Sequence, residues 1–140
     1  MTNHEFSQLT DHLEYFGYSI EDLDDGNAYK ATHEAYGNVF IRPMGHQFLH
    51  SNYWMISEKA SSEDLQLLKI INRLNQSNYV STYSVMDDGG LRIDAVYTGE
   101  YTKFSYGEFV DYFQKDIVRI MGDDDELRNY REQSKLELVN

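Results

Sequence analysis

The chain has 140 residues, 41% of them hydrophobic, a size and composition that fit one domain with a real core. Twenty-four acids against twelve bases give a net charge of −12, which repels a polyphosphate backbone and argues against nucleic-acid binding. Cys is absent, which excludes disulfides, thiolate zinc sites and cysteine nucleophiles; with no leader pattern at Met1 to Phe6 and no bilayer-length apolar run, the expectation is a cytoplasmic, non-membrane protein.

Phe6, Leu9, Leu13 and Phe16 recur at spacings of three and four, predicting a helix over about Asn3 to Phe16. Thr2 and Glu5 have capping-box spacing at its start, and Gly17 supplies a left-handed stop. The cluster Asp22 to Asn27 reads as an acidic turn, after which helical spacing gives way to β-favouring runs. Three strands are expected near Ala28 to Ala35, Asn38 to Arg42 and Phe48 to Ser57, with the single proline, Pro43, in the second break.

Ser61 with Asp64 three residues on signals a second helix, carrying Leu65, Leu67, Leu68, Ile70, Ile71 and Leu74 on a wide apolar face. Asn75 to Asn78 ends it. Tyr79 to Met86 reads as a strand with Tyr79, Ser81, Tyr83 and Val85 on one face, joined through the turn Asp87-Asp88-Gly89-Gly90 to a partner at Leu91 to Tyr97. A capping-box pair, Ser105 and Glu108, opens a third helix striped by Phe109, Phe113, Ile117 and Ile120 and stopped at Gly122. Residues 1–122 thus read as a single domain, and the charged tail 123–140 as a loosely attached helix or a disordered end.

The fold class read from this order is α+β, αβββαββα, an antiparallel sheet with helices packed against it. That order resembles the YbjN family and the wider class-I type III secretion chaperone superfamily over about Asn3 to Met121. Leu13 to Ile20 looks like that family's first helix running into an acidic strand, Ile71 to Asn75 like the asparagine-containing end of its second helix, and Asp87 to Ile93 like its acid-glycine hairpin. The resemblance implies no catalytic residues. Its secretion-chaperone relatives bind extended segments of other proteins and are commonly acidic dimers.

His46 and His50 share a strand face, and His33 with Glu34 could join them, so a metal or small-ligand site centred on His33, His46 and His50 is the alternative reading, against partly exposed sheet histidines. The pairs Asp24-Asp25 and Asp87-Asp88 and the run Asp123 to Glu126 match no calcium-loop spacing and read as turns or a solvated helix end. No nucleophile motif and no glycine-rich phosphate loop is present, so neither an enzyme nor a cofactor is expected. Tyr53, Tyr79, Tyr83, Tyr97 and Tyr101 suggest aromatic sheet faces that either bind a partner or form core and cross-strand pairs; Trp54, between Phe48 and Ile56 in strand parity, reads as core. The leading expectation is a non-enzymatic protein-binding domain, its sheet aromatics ringed by acids and holding a basic or apolar protein segment. A homodimer through the sheet or the wide face of the second helix is expected as well, unless the tail or third helix covers that face.

Overall fold

The structure, a computed structural model, describes residues 3–57, 60 and 63–139. The first helix, α1, runs Asn3–Tyr15 and buries Phe6, Leu9 and Leu13 as its spacing predicts. It ends in a Schellman motif: Tyr18 N–H donates to the Leu13 carbonyl and Gly17 N–H to that of Glu14, with Gly17 at φ +96°. Thr2, the expected cap, lies outside the described residues.

The chain then forms β1 (Ser19–Asp22), β2 (Tyr29–His33), β3 (Gly37–Met44) and β4 (Gln47–Met55). The periodicity reading has one strand fewer here, since it assigned Asp22 to the turn. Asp22 closes β1 instead, and its carboxylate accepts from the N–H groups of Asp24 and Gly26 to shape the β1–β2 hairpin. Strand β3 continues through Pro43, which lies past Ile41, the last β3 residue paired with β2, so that one side of the strand needs no donor there.

Helix α2 (Leu65–Asn75) is capped by Asp64, whose Oδ1 accepts from Leu67 N–H at 3.1 Å; Ser61 lies outside the described residues. Strands β5 (Thr82–Val85) and β6 (Gly90–Tyr97) form the expected hairpin, but β5 starts three residues later than the pattern predicts. Helix α3 (Lys103–Val118) starts ahead of the Ser105–Glu108 pair, because Thr102 takes the cap and its hydroxyl accepts from Ser105 N–H. A π-helical turn, Arg119–Asp123, kinks at Gly122 and leads into α4 (Asp125–Val139).

Helix α4 is anchored. Asp124 caps it through Leu127 N–H and pairs with Arg73 of α2 at 2.8 Å, Glu126 meets the same guanidinium, and Tyr130 donates to Asp64. Leu127, Tyr130 and Ser134 are buried, so α4 covers part of the apolar face of α2, leaving Leu65 and Leu68 exposed.

The six strands form one antiparallel sheet in the order β1-β2-β3-β4-β6-β5. The helices pack on the face carrying Ala31, Val39, Ile41, Phe48, His50, Leu91, Ile93 and Ala95, all buried. Among the described residues no helix is long and apolar enough to cross a membrane.

Three polar arrangements shape this layer. The Asp116 side chain on α3 is fully buried and accepts three backbone bonds of 3.0 Å, from the N–H groups of Tyr79, Val80 and Ser81. Amides turned onto a carboxylate cannot pair in a sheet, which is why β5 begins only at Thr82. Asn75, at the end of α2, brackets Tyr83, accepting from its N–H at 2.8 Å and donating to its carbonyl at 3.0 Å, and so occupies the outer edge of β5 as a short strand would. Nearer the sheet centre, the His50 ring is sealed between Phe48 and Tyr106. A carbonyl only accepts, so Nδ1–H donates to Phe48 O at 3.0 Å, and Nε2 accepts the Tyr106 hydroxyl proton at 2.8 Å.

The first expectation concerns Asp116→Asn. It leaves one amide hydrogen-bond acceptor for three N–H groups and points an NH₂ at them, and bonds to a charged group are worth about 1.5–3 kcal/mol each. Urea unfolding should show a loss of about 3 kcal/mol or more; a loss below about 1 kcal/mol would contradict the role assigned to the carboxylate.

A second expectation concerns acid. Burial lowers His50 to about 4 from an ordinary 6.5, opposed by its bond to Phe48. The unfolded chain therefore takes up the proton first as pH falls. The stability of the neutral ring is complete above pH 6.5 and is lost progressively towards pH 4, by about 3 kcal/mol in all. His12 is also lowered, by burial and by Lys103, and acts in the same direction. The stability difference between the natural protein and His50→Gln should shrink by about that amount between pH 6.5 and 4; a constant difference in unfolding titrations would refute it.

Candidate functional site

A sheet covered on one side presents its other side to solvent. Strand parity places Lys30 on this open face from β2, Phe40 and Arg42 from β3, Leu49, Ser51, Tyr53 and Met55 from β4, and Arg92, Asp94 and Val96 from β6. The registers set these in rows: Lys30 beside Phe40 beside Ser51, Arg42 beside Leu49 beside Val96, and Tyr53 beside Arg92. The Phe40 and Tyr53 rings meet edge to face at 5.8 Å. Tyr53 is 45% exposed and Met55 57%. Apolar side chains thus lie on this face of the three central strands, and among the described residues no helix covers them.

The charges around these side chains are mixed and slightly positive. Lys30 sits 3.9 Å from Glu21, and Arg92 pairs with Asp94 at 2.7 Å, an acid that also accepts from Ser51. Arg42 is exposed and has no ion pair among the described residues. The face carries Lys30, Arg42 and Arg92 against Glu21 and Asp94 on a chain of net charge −12. On the strands themselves the open face thus carries both signs of charge, and further acids stand in the turns at the strand ends, Asp24 and Asp25, Glu34, and Asp87 and Asp88.

Of the five tyrosines read as partner-binding, only Tyr53 lies on this face. Tyr83 and Tyr97 are buried on the helix side, paired in register with Ile93 and Phe48. Tyr83 donates to the Asp116 carbonyl, and burial, with the nearby Asp116 charge, raises its pKa; Tyr97 donates to Glu100 O and packs on Tyr106 at 5.1 Å. Tyr79 is exposed beside α3, stacked on Tyr112 at 4.9 Å under the Lys115 ammonium. Tyr101 follows β6 and bonds His12 Nδ1 at 2.9 Å. Register decides which side Tyr53, Tyr83 and Tyr97 take, while Tyr79 and Tyr101 fall outside the strands. The missed residues are Phe40, Leu49 and Val96; Leu49 had one legible signal, since β4 is apolar in both parities and must bury one and present the other.

Trp54 packs against the core as expected, its indole N–H donating to Asn52 Oδ1, while Asn52 in turn donates to the Asn38 carbonyl at 2.7 Å.

The structure does not bring His33, His46 and His50 together. His33 ends β2 opposite Gly37, His50 lies in the core opposite Ile41, and His46 is exposed in the β3–β4 turn. Their shared parity was real for 46 and 50 only if the strand reached back to 46, and Gly45 at φ +62° turns the chain there. Among the described residues no group of three or more His, Asp or Glu side chains is placed to hold a metal ion. The acidic pairs and run are structural where their bonds are seen: Asp88 accepts from Gly90 N–H in the hairpin, and Asp124 caps α4.

No family model matches the chain, and no curated protein does. Among solved structures it is similar to the crystal structure of YbjN from E. coli, a proposed transcription regulator, at 16% sequence identity and a TM-score of 0.61, over 88% of this chain and 96% of that one. The resemblance read from the three sequence motifs is thereby a likeness of architecture across nearly both whole chains: this protein has a YbjN-like fold.

Proposed function

We propose that the protein is a non-enzymatic protein-binding domain that receives, on the open sheet face, a partner segment of apolar and acidic character. The observation that carries this reading is the uncovered apolar set of Phe40, Leu49, Tyr53, Met55 and Val96, placed among Lys30, Arg42 and Arg92. Aromatic and methionine side chains with arginine at their margin are the composition enriched where proteins meet. Charge selects the occupant. A segment bearing acids meets favourable potential here and repulsion elsewhere on a chain of net charge −12, so the acidity that excludes nucleic acid also orients the partner. A regulatory role like the one suggested for YbjN fits this class through protein contacts, since nothing in the charge favours a phosphate backbone.

A photo-crosslinking residue at Tyr53, compared with one at the exposed Phe104 of α3, tests the assignment in cells of the source organism. The expected result is a discrete adduct from position 53 only, its crosslinked peptide apolar and acidic, abolished by Arg42→Glu with Arg92→Glu. No position-specific adduct, or an adduct with a second copy of this chain, would overturn it, the latter assigning the face to a homodimer.

A further inference from the structure

On the opposite side of the molecule a cleft of about 270 Å³ opens between α1, the β2–β3 turn and α3. Its walls are two ring pairs. His12 and Phe16 of α1 stack at 4.9 Å and 28°, and His33 and Tyr36 lie 4.8 Å apart at 42°; Gly107 and Gln114 of α3 line it between them.

Three polar atoms in this lining are uncommitted. His12 is 7% exposed, its Nδ1 bonds Tyr101, and its Nε2 is buried with no partner. Buried ring nitrogens ordinarily find one, so an orphan beside a cleft points to a missing group. His33 Nδ1 accepts from Ala35 N–H, which puts the ring proton on Nε2 as a free donor. The Gln114 amide NH₂ donates to the Tyr18 hydroxyl at 2.8 Å, leaving its oxygen as an acceptor.

Gly107 supplies a separate observation. It lies inside α3, where glycine is among the least favourable residues, yet neither a left-handed backbone nor close packing requires it. A methyl group there would rest 3.5 Å from His12 Cε1 and 3.6 Å from Nε2, an ordinary contact. The missing side chain leaves the cleft wall beside the His12 ring free of a methyl group.

We propose that this cleft binds an uncharged planar heteroaromatic molecule of the nucleobase class, held between the ring pairs and hydrogen-bonded by His12 Nε2, His33 Nε2 and Gln114 Oε1. Flat walls select a ring, and a donor beside an acceptor selects the edge of a heterocycle. Charge excludes a nucleotide: Asp111 lines the cleft, no Lys or Arg does, and Lys115 is already paired with Asp111 at 3.2 Å. The volume, near the lower bound of about 300 Å³ for ligand pockets, admits a base rather than a larger cofactor. Burial lowers His12, consistent with a neutral imidazole facing a neutral ligand.

The test uses the full chain and four probes: adenine, cytosine, uracil and adenosine 5′-monophosphate, followed by calorimetry and by the imidazole ring signals of His12 and His33. At least one base should bind with a Kd below ~1 mM and shift both rings, with the monophosphate weaker by about tenfold or more where adenine binds. Gly107→Ala should keep or raise the melting temperature while weakening binding about tenfold or more, and His12→Phe, which keeps the ring and removes the nitrogens, should do likewise in affinity. Failure of all three bases to shift either ring at their solubility limit, or binding unchanged in both variants, would overturn the proposal. Either outcome leaves the opposite sheet face and its crosslinking test untouched.

Discussion

A carboxylate with no access to water organises one end of this fold. Asp116 accepts three amide protons from consecutive residues of the α2–β5 connection, and that connection is where the chain passes from its helical layer back into the sheet. Burying a charge alone would cost several kcal/mol, so the arrangement holds only because all three donors converge. Their convergence in turn fixes the path of residues 79–81, and with it the position from which β5 enters beside β6. Asn75 and Arg119 act on the same passage. Asn75 closes the outer edge of β5, and the Arg119 guanidinium donates to Ser77 O and to Asn78 Oδ1, so α2, α3 and the sheet edge are tied through one irregular segment.

That tie has a consequence for the layers. With α2 and α3 both committed to the same side of the sheet, and α4 latched to α2 through Arg73, the helices form a single layer. The aromatic content is spent there: Tyr106, Phe109 and Phe113 meet the His50 ring at 4.9 to 6.1 Å, and Tyr97 packs on Tyr106 and Phe109 at 5.1 and 5.3 Å. A core dense in rings on one side leaves the other side to residues that no element of the described chain covers.

Elements whose signals are local were legible in the sequence. Helix α1 needs only its own spacing and Gly17, and the β5–β6 turn only Asp87 to Gly90. The features that depend on distant partners were not. Strand β5 lost its first residues to Asp116, more than thirty positions away in sequence. The tail reads as charged and weakly periodic because its helix is stabilised by Arg73 and Asp64, which belong to another element. The candidate face was half visible for a similar reason. Tyr53 was found, but Phe40, Leu49 and Val96 become neighbours only when β3, β4 and β6 align, and the same registers carry Tyr83 and Tyr97 inward.

The distribution of charge gives the two sides of the molecule different chemistry. Acids on the helix layer serve local ends: Asp64 and Asp124 cap helices, Asp111 pairs with Lys115, and Asp125 pairs with Arg128 three residues on. None of these needs to face the sheet. Among the described residues the open face leaves Arg42 without an ion pair and holds two further bases in loose or surface pairs worth little in stability. Exposed charges act over about 8 Å at physiological salt, comparable to the width of two strands. The fold thus separates an open sheet face that carries apolar and basic side chains from a cleft lined by two ring pairs, with the His50–Tyr106 core between them.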